Sequence, residues 1–231
     1  MKEFRTYLIA ATGGPGAGKS DSLPEVARRM SDQGFNVHVG FEAATRLINA
    51  GAKPWEMTAE QHFDFQVGHV AMQLAHEKEM LALAQGNQGD SIILCDRGLM
   101  DGAAYIGMEV WPRVLAANGL DLASASTNRY DAVIHLESLA KIDASKYPGR
   151  ANPARWQDPA GAARSDADLL RVWKAHPHHR IISAREEFNT KLDEFTSAVL
   201  ECTSRKPLRS RPEFLPLHPP TGTGFTHVIE R

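Results

Sequence analysis

At 231 residues, with 42% hydrophobic and 23% charged residues, the chain has the length of one large domain and an ordinary globular composition. A chain of this size buries roughly 70% of its unfolded surface, enough for a sizeable core. The formal net charge of -2 excludes a global basic field of the kind that recruits nucleic acid or an acidic membrane. Two cysteines, Cys95 and Cys202, supply no disulfide framework. The apolar run Tyr7–Ala11 is too short for a signal-peptide core, and no run of eighteen apolar residues exists. The expectation is a cytoplasmic protein with no transmembrane segment and no nucleic-acid partner.

Apolar runs bounded by glycine or charge alternate with helical patterns, which predicts a parallel sheet with crossover helices. Strands are expected over 7–12, 36–41, 91–96, 132–137 and 180–184, and helices over 22–32, 58–84, 113–118, 167–175 and 186–202. The long helix opens on Thr58-x-x-Gln61, a capping box, and its stripe Phe63, Val67, Val70, Leu74, Leu81 keeps one face apolar. After Ser204 five prolines fall among Arg, Lys and Gly. The chain therefore divides into a domain over 1–203 and a Pro-rich tail or linker over 204–231. The terminal THVIER has the character of a strand's beginning, so the native product is expected to carry a further C-terminal domain.

Between the first strand and helix lies Gly13-Gly14-Pro15-Gly16-Ala17-Gly18-Lys19-Ser20, which fits the Walker A pattern in its proper context. Glycines let backbone N–H groups turn towards phosphates, and the helix N-terminus adds partial positive charge. Lys19 is expected at the β- and γ-phosphates and the Ser20 hydroxyl on Mg²⁺. Asp21 complicates the loop. If its carboxylate faces the α-phosphate at about 5 Å, it opposes binding by roughly 3 kcal/mol; if it faces solvent, it favours the helix N-terminus instead. Ser22-Leu23-Pro24-Glu25 also fits a capping box, which predicts a helix restarting at Ser22.

Asp96-Arg97-Gly98 closes an apolar strand. Asp96 there can hold Mg²⁺ or orient the attacking group, and Arg97 can bind an acceptor phosphate or hydroxyl through its planar fork. Glu42, after the second strand, is either a general base on an acceptor hydroxyl, a metal-shell ligand, or the partner of Arg46 one helical turn on. Strand ends share one crevice in a parallel sheet, so Glu42, Asp96 and the glycine loop are expected to converge.

GGPGAGKS, FEAATRLINAG, FQVGHVAMQLAHEKE, CDRGLMDGAAYI, WPRVLAANGL, NRYDAVIHL and AHPHHRIIS, over about residues 5–203, resemble the N-terminal domain of the TRPL translocation defect protein family, a NadR-type AAA/kinase-like P-loop module. The resemblance implies a three-layer α/β P-loop NTPase with a five-stranded parallel sheet of nucleoside-monophosphate-kinase type. It also implies binding of ATP or GTP and phosphoryl transfer to a small molecule. The family usually has Thr-Thr or Ser-Thr after its lysine, where this chain has Ser20-Asp21. Some relatives carry a lipid-binding CYTH-like domain after the kinase-like part.

Residues 141–164 fall where such a fold carries its lid, and Arg164 is the arginine expected to close over the triphosphate, with Arg150 and Arg155 as further candidates. Solvated arginines on a loop are the bland alternative. Asn189-Thr190-Lys191-Leu192-Asp193 is one residue off the guanine-binding pattern and lies in a helix, so nothing distinguishes ATP from GTP. His62, His69 and His76 are about 10.5 Å apart along a helix, too far to share a metal, and are expected on its flanking face. Gln66 either lines an acceptor pocket or is solvated. Two functions fit: a Mg²⁺-dependent phosphotransferase using ATP or GTP on a small molecule or nucleoside, or a slow nucleotide-binding switch module of a trafficking or lipid-linked protein.

Overall fold

A computed structural model of the chain describes residues 4–146 and 158–208; Arg150, Arg155 and the Pro-rich segment from 209 lie outside them. Five strands form one parallel sheet: β1 (Thr6–Thr12), β2 (Asn36–Val39), β3 (Ser91–Asp96), β4 (Ala132–Leu136) and β5 (His179–Ile182), in the order β2-β3-β1-β4-β5. The alternation of side chains along a strand sends consecutive residues to opposite layers. From β1, Leu8 and Ala10 pack on one face with Val70, Trp111, Tyr130 and Trp173, while Tyr7, Ile9 and Ala11 pack on the other with Val26, Met30, Phe195 and Val199. Both faces are thus covered, as a parallel sheet requires.

The helices are α1 (Lys19–Asp32), α2 (Ala43–Asn49), α3 (Ala59–Gln85), α4 (Ala103–Ile106), α5 (Trp111–Ala117), α6 (Leu122–Ser126), α7 (Pro159–Val172) and α8 (Phe188–Thr203). The Thr58–Gln61 capping box forms in both directions at the head of α3. The expected restart at Ser22 does not occur. α1 begins at Lys19 because Gly18, at φ 82, makes the turn into the helix, and Ser22 N then bonds Gly18 O at 2.9 Å within it. Pro24 is carried inside the helix, and the Ser22 hydroxyl is buried without a partner instead of capping. β2 stops at Val39, short of the expected 41, where Gly40 packs beneath Met80. Among the described residues, no helix is long and apolar enough to cross a membrane.

Candidate active site

The C-terminal ends of β1, β3 and β4 open onto a cavity of about 810 Å³, walled by the glycine loop on one side and by α3, the turn after β3 and α7 on the others. The loop passes so close to β4 that a Cβ on Gly13 would lie 2.0 Å from the Leu136 carbonyl oxygen, at a φ of 136 that side chains avoid. Three side chains from elsewhere anchor its backbone. Asp166 of α7 accepts from Gly14 N at 2.7 Å, Ser138 Oγ donates to the Pro15 carbonyl, and Lys191 Nζ of α8 donates to the Ala17 and Glu137 carbonyls at 2.8 and 2.7 Å. The Asp166 carboxylate is fully buried and also takes His135 Nε2 at 3.1 Å. Burial pushes its carboxyl up, but the His135 hydrogen bond and the other donors outweigh this and hold it below the usual range. Ser138 and Asp166 were not singled out from the sequence, and Lys191 was weighed only within the off-register guanine pattern. Ser138 follows a strand end, the signal that found Asp96, whereas Asp166 sits inside a helical pattern that gave no hint.

Pro15, Gly16, Ala17, Gly18, Lys19 and Ser20 line the cavity. Lys19 is 8% exposed, and its Nζ donates to the Gly13 carbonyl at 2.8 Å. Burial, reinforced by Arg97, lowers its pKa to about 8. Gly13 and Gly14 shape the loop from behind, outside the cavity lining. Asp21 is exposed on the first turn of α1 and does not line the cavity, which matches the solvent-facing alternative rather than the phosphate-facing one.

The turn after β3 carries the second group. Arg97 has φ 88, the only positive value at a non-glycine among the described residues. Its N–H bonds the Ala11 carbonyl at 2.9 Å, Gln73 Nε2 donates to its carbonyl at 3.1 Å, and the Tyr130 hydroxyl accepts from Leu99 N at 2.9 Å. Held this way, the guanidinium donates from Nε to Glu42 Oε1 at 2.7 Å and from Nη1 to the Gly13 carbonyl at 2.7 Å and Asp101 Oδ2 at 3.3 Å. Glu42 therefore pairs with Arg97 and not with Arg46, whose guanidinium sits 3.5 Å from the centre of the Phe41 ring. Burial would raise the Glu42 carboxyl, but Arg97 and Lys19 outweigh it and hold it at about 2. Asp101, missed in the sequence, is 2% exposed and accepts from Thr12 Oγ1, Trp173 Nε1 and Arg97.

Asp96 ends β3 beside this turn. Burial raises its pKa to about 6 against the opposing pull of Lys19, and its Oδ1 is buried with no hydrogen-bond partner. A buried carboxylate oxygen without a partner is a hard donor of the kind that suits Mg²⁺; Ser20 lines the cavity, and Asp96 lies outside its lining. Arg164 and Asp168 line the cavity from α7, Arg164 exposed to solvent. On the far wall are Trp55, His62, Phe65, Gln66, His69 and Tyr105. The histidines are not a flanking surface face. His69 is buried in the cavity wall, His76 stacks on Phe41 at 3.7 Å, and His62 Nε2 is 3.2 Å from Gln66 Nε2.

A glycine loop entering a helix at the end of a central strand, with a lysine at its tip and a β3 carboxylate beside it, defines a P-loop nucleotide-binding protein of the phosphotransferase-like, nucleoside-monophosphate-kinase fold. A profile of the AAA domain family matches residues 8–191, and the chain belongs to that family. Among solved structures, the chain is similar to a thymidylate kinase from Ehrlichia chaffeensis, with a TM-score of 0.56 and 16% identity over 86% of this chain and 99% of that one, a likeness of fold. Comparison with curated proteins finds no match.

Proposed function

We propose that the protein is a Mg²⁺-dependent phosphotransferase that moves the γ-phosphoryl group of ATP or GTP onto the hydroxyl of a small acceptor. The observation that carries this is the Glu42–Arg97 pair, fixed at 2.7 Å in the cavity that the glycine loop also lines. A nucleotide switch needs the loop but has no use for a carboxylate locked by an arginine on the wall of the same cavity.

Lys19, cationic at neutral pH, trades its Gly13 carbonyl for phosphate oxygens, and the loop N–H groups and the α1 N-terminus add to its pull. Ser20 and Asp96 would hold Mg²⁺, which offsets phosphate charge as it develops. Glu42 accepts a hydrogen bond from the acceptor hydroxyl. As the new oxygen–phosphorus bond forms and the bond to the leaving nucleoside diphosphate breaks, the hydroxyl proton passes to the carboxylate. A carboxyl at about 2 is a weak base, so its contribution is chiefly orientation, in keeping with a loose transition state that demands positioning more than proton abstraction. Arg97 locks Glu42 in place, and Arg164 lies where it can close over the transferred group.

The test is calorimetric titration of ATP and GTP, each with Mg²⁺, into wild type and Lys19→Ala, followed by an acceptor screen with the nucleotide that binds. Binding of one nucleotide that disappears in the variant is the expected result. No binding of either overturns the reading, and binding without turnover on any acceptor moves the weight to the switch.

A further inference from the structure

Lys191 belongs to a sequence pattern that the phosphotransferase reading leaves unused, the off-register guanine motif, and the structure gives it a different place. It is 4% exposed on α8, and its Nζ donates to the carbonyls of Ala17 and Glu137 at 2.8 and 2.7 Å. A buried ammonium ordinarily faces a carboxylate. Among the described residues none forms an ion pair with this one. The Glu137 carboxylate is taken by Lys141 and by Ala184 N, and the Asp166 carboxylate by Gly14 N, Ser138 N and His135. The direct partners of the Lys191 charge are thus two neutral carbonyls, one of them in the glycine loop.

Its position relative to the loop decides what that charge can do. Gly18 lines the cavity while Lys191 lies outside the lining, so the ammonium stands behind the loop. The C=O and N–H of a trans peptide point to opposite sides of the chain. Drawing the Ala17 carbonyl back onto α8 therefore turns the Gly18 N–H forward, and Gly18, at φ 82, takes that turn without a Cβ to oppose it. A cation on the carbonyl also polarises the peptide, which makes its N–H a better donor. Lys19 is the lysine in front, on the Gly13 carbonyl, so the two lysines bracket the loop. Burial lowers the Lys191 ammonium to about 8; Asp166 of α7 and Glu137 after β4 pull it up, and Lys19 of α1 and Arg185 before α8 push it down.

We infer that Lys191 is a positioning residue of the nucleotide site, a second phosphate lysine that acts from behind the glycine loop, aiming the Gly18 N–H at the β-phosphate and adding a charge that no carboxylate pairs. The inference rests on the phosphotransferase reading, because it needs a polyphosphate in the loop. The backbone N–H groups of such loops cradle the α- and β-phosphates.

ADP and GDP, each with Mg²⁺, are the probes, since they reach the loop and are not turned over; AMP and GMP are the controls that lack the β-phosphate. Calorimetric titration into Lys191→Met should show the diphosphate that binds weakened by about tenfold or more and its monophosphate by less than about threefold. The second readout uses wild type alone and detects the charge, which a merely structural prop would not. A polyanion beside an ammonium favours its charged form, so a lysine at about 8 when free takes up a proton on binding at higher pH. Lys19 also sits at about 8, and by itself can take up no more than one proton. Titrating wild type between about pH 7.5 and 9, in buffers of different ionisation enthalpy, counts the protons; more than one per nucleotide is expected towards pH 9. Should Lys191→Met fail to fold, this count decides alone. Uptake of one proton or fewer throughout, unchanged diphosphate affinity in the folded variant, or equal weakening of diphosphate and monophosphate overturns the inference. Failure of wild type to bind either diphosphate or any ATP or GTP analogue is a different result: it refutes the phosphotransferase reading, and the role of Lys191 falls with it.

Discussion

Replacing Glu77 by Gln probes the support beneath the Arg97 turn. Glu77 is 1% exposed, and its carboxylate accepts from Arg129 Nε at 2.6 Å, the Tyr130 hydroxyl at 2.8 Å and Gln73 Nε2 at 3.1 Å. Tyr130 and Gln73 are the same groups that hold Leu99 N and the Arg97 carbonyl, so one buried carboxylate organises the scaffold of the Arg97 turn. The substitution preserves shape and one acceptor oxygen but removes the charge that faces a guanidinium buried almost as deeply. Two unit charges 4 Å apart attract by about 4 kcal/mol at an effective dielectric of 20. Removing one member of a buried pair typically costs about 3–5 kcal/mol. The two figures agree, and a loss near 4 kcal/mol lowers Tm by roughly 10 °C in a domain of this size. Urea unfolding should show a lower midpoint with an unchanged slope. Removing both charges, as Glu77→Leu with Arg129→Met, should restore most of the loss, because a buried guanidinium stripped of the Glu77 counter-charge costs more than the absence of the pair. A single-variant cost below about 1 kcal/mol would refute this account, since the Arg129 charge would then be satisfied without Glu77.

Asp21→Thr should leave nucleotide affinity within about twofold of wild type in calorimetry, because the side chain is exposed outside the cavity; a gain of tenfold or more would place the carboxylate against the phosphates after all. The pH profile of kcat/KM should be bell-shaped. Asp96 must be ionised to hold a metal, so activity rises as pH passes about 6, and Lys19 must be protonated to hold phosphate, so activity falls as pH passes about 8. A profile flat between pH 5 and 9 contradicts both assignments. Gly14→Ala places a Cβ 2.8 Å from Asp166 Cβ and 3.1 Å from the Ala162 carbonyl oxygen, so it should displace the loop and weaken nucleotide binding by tenfold or more, as read by titration.

Where chemistry is local, the sequence was readable. The Walker A spacing needs one strand and one helix around it, and Asp96-Arg97-Gly98 needs only a strand end, so both stood out in the sequence; the contact with Glu42 is made by Arg97. β3 was expected over 91–96 and occupies Ser91–Asp96, since Gly89 and Asp90 before it and Gly98 after it break the apolar run. The start of α1 was misread because two local signals competed. Ser22 and Glu25 look like a cap, but the glycine turn at Gly18 fixes the helix entry first, and a proline at Pro24 costs less there than unwinding the anion site. The buried supports were illegible for another reason. Asp101, Asp166, Gln73 and Glu77 are polar residues in helical or turn patterns, where solvent exposure is the ordinary expectation. Only the packing of α3 and α7 against the strand ends turns them inward. His69 shows the same limit, since spacing could rule out a shared metal but could not say which side of the helix faced the cavity.

One residue combines two demands that pull apart. The backbone at Arg97 sits in a conformation natural to glycine, while its guanidinium is what joins Glu42, Asp101 and the Gly13 carbonyl. Selection for stability alone would place a glycine there, as it has at Gly16 and Gly18 of the phosphate loop, which share the positive φ. The turn thus carries a standing conflict in which the fold gives up roughly 1 kcal/mol or more to keep a charged arm where the glycine loop meets the cavity wall. Random substitution should reveal it as a position where the variant that eases the chain is also the one that disables it, so thermostability and turnover move in opposite directions at a single site.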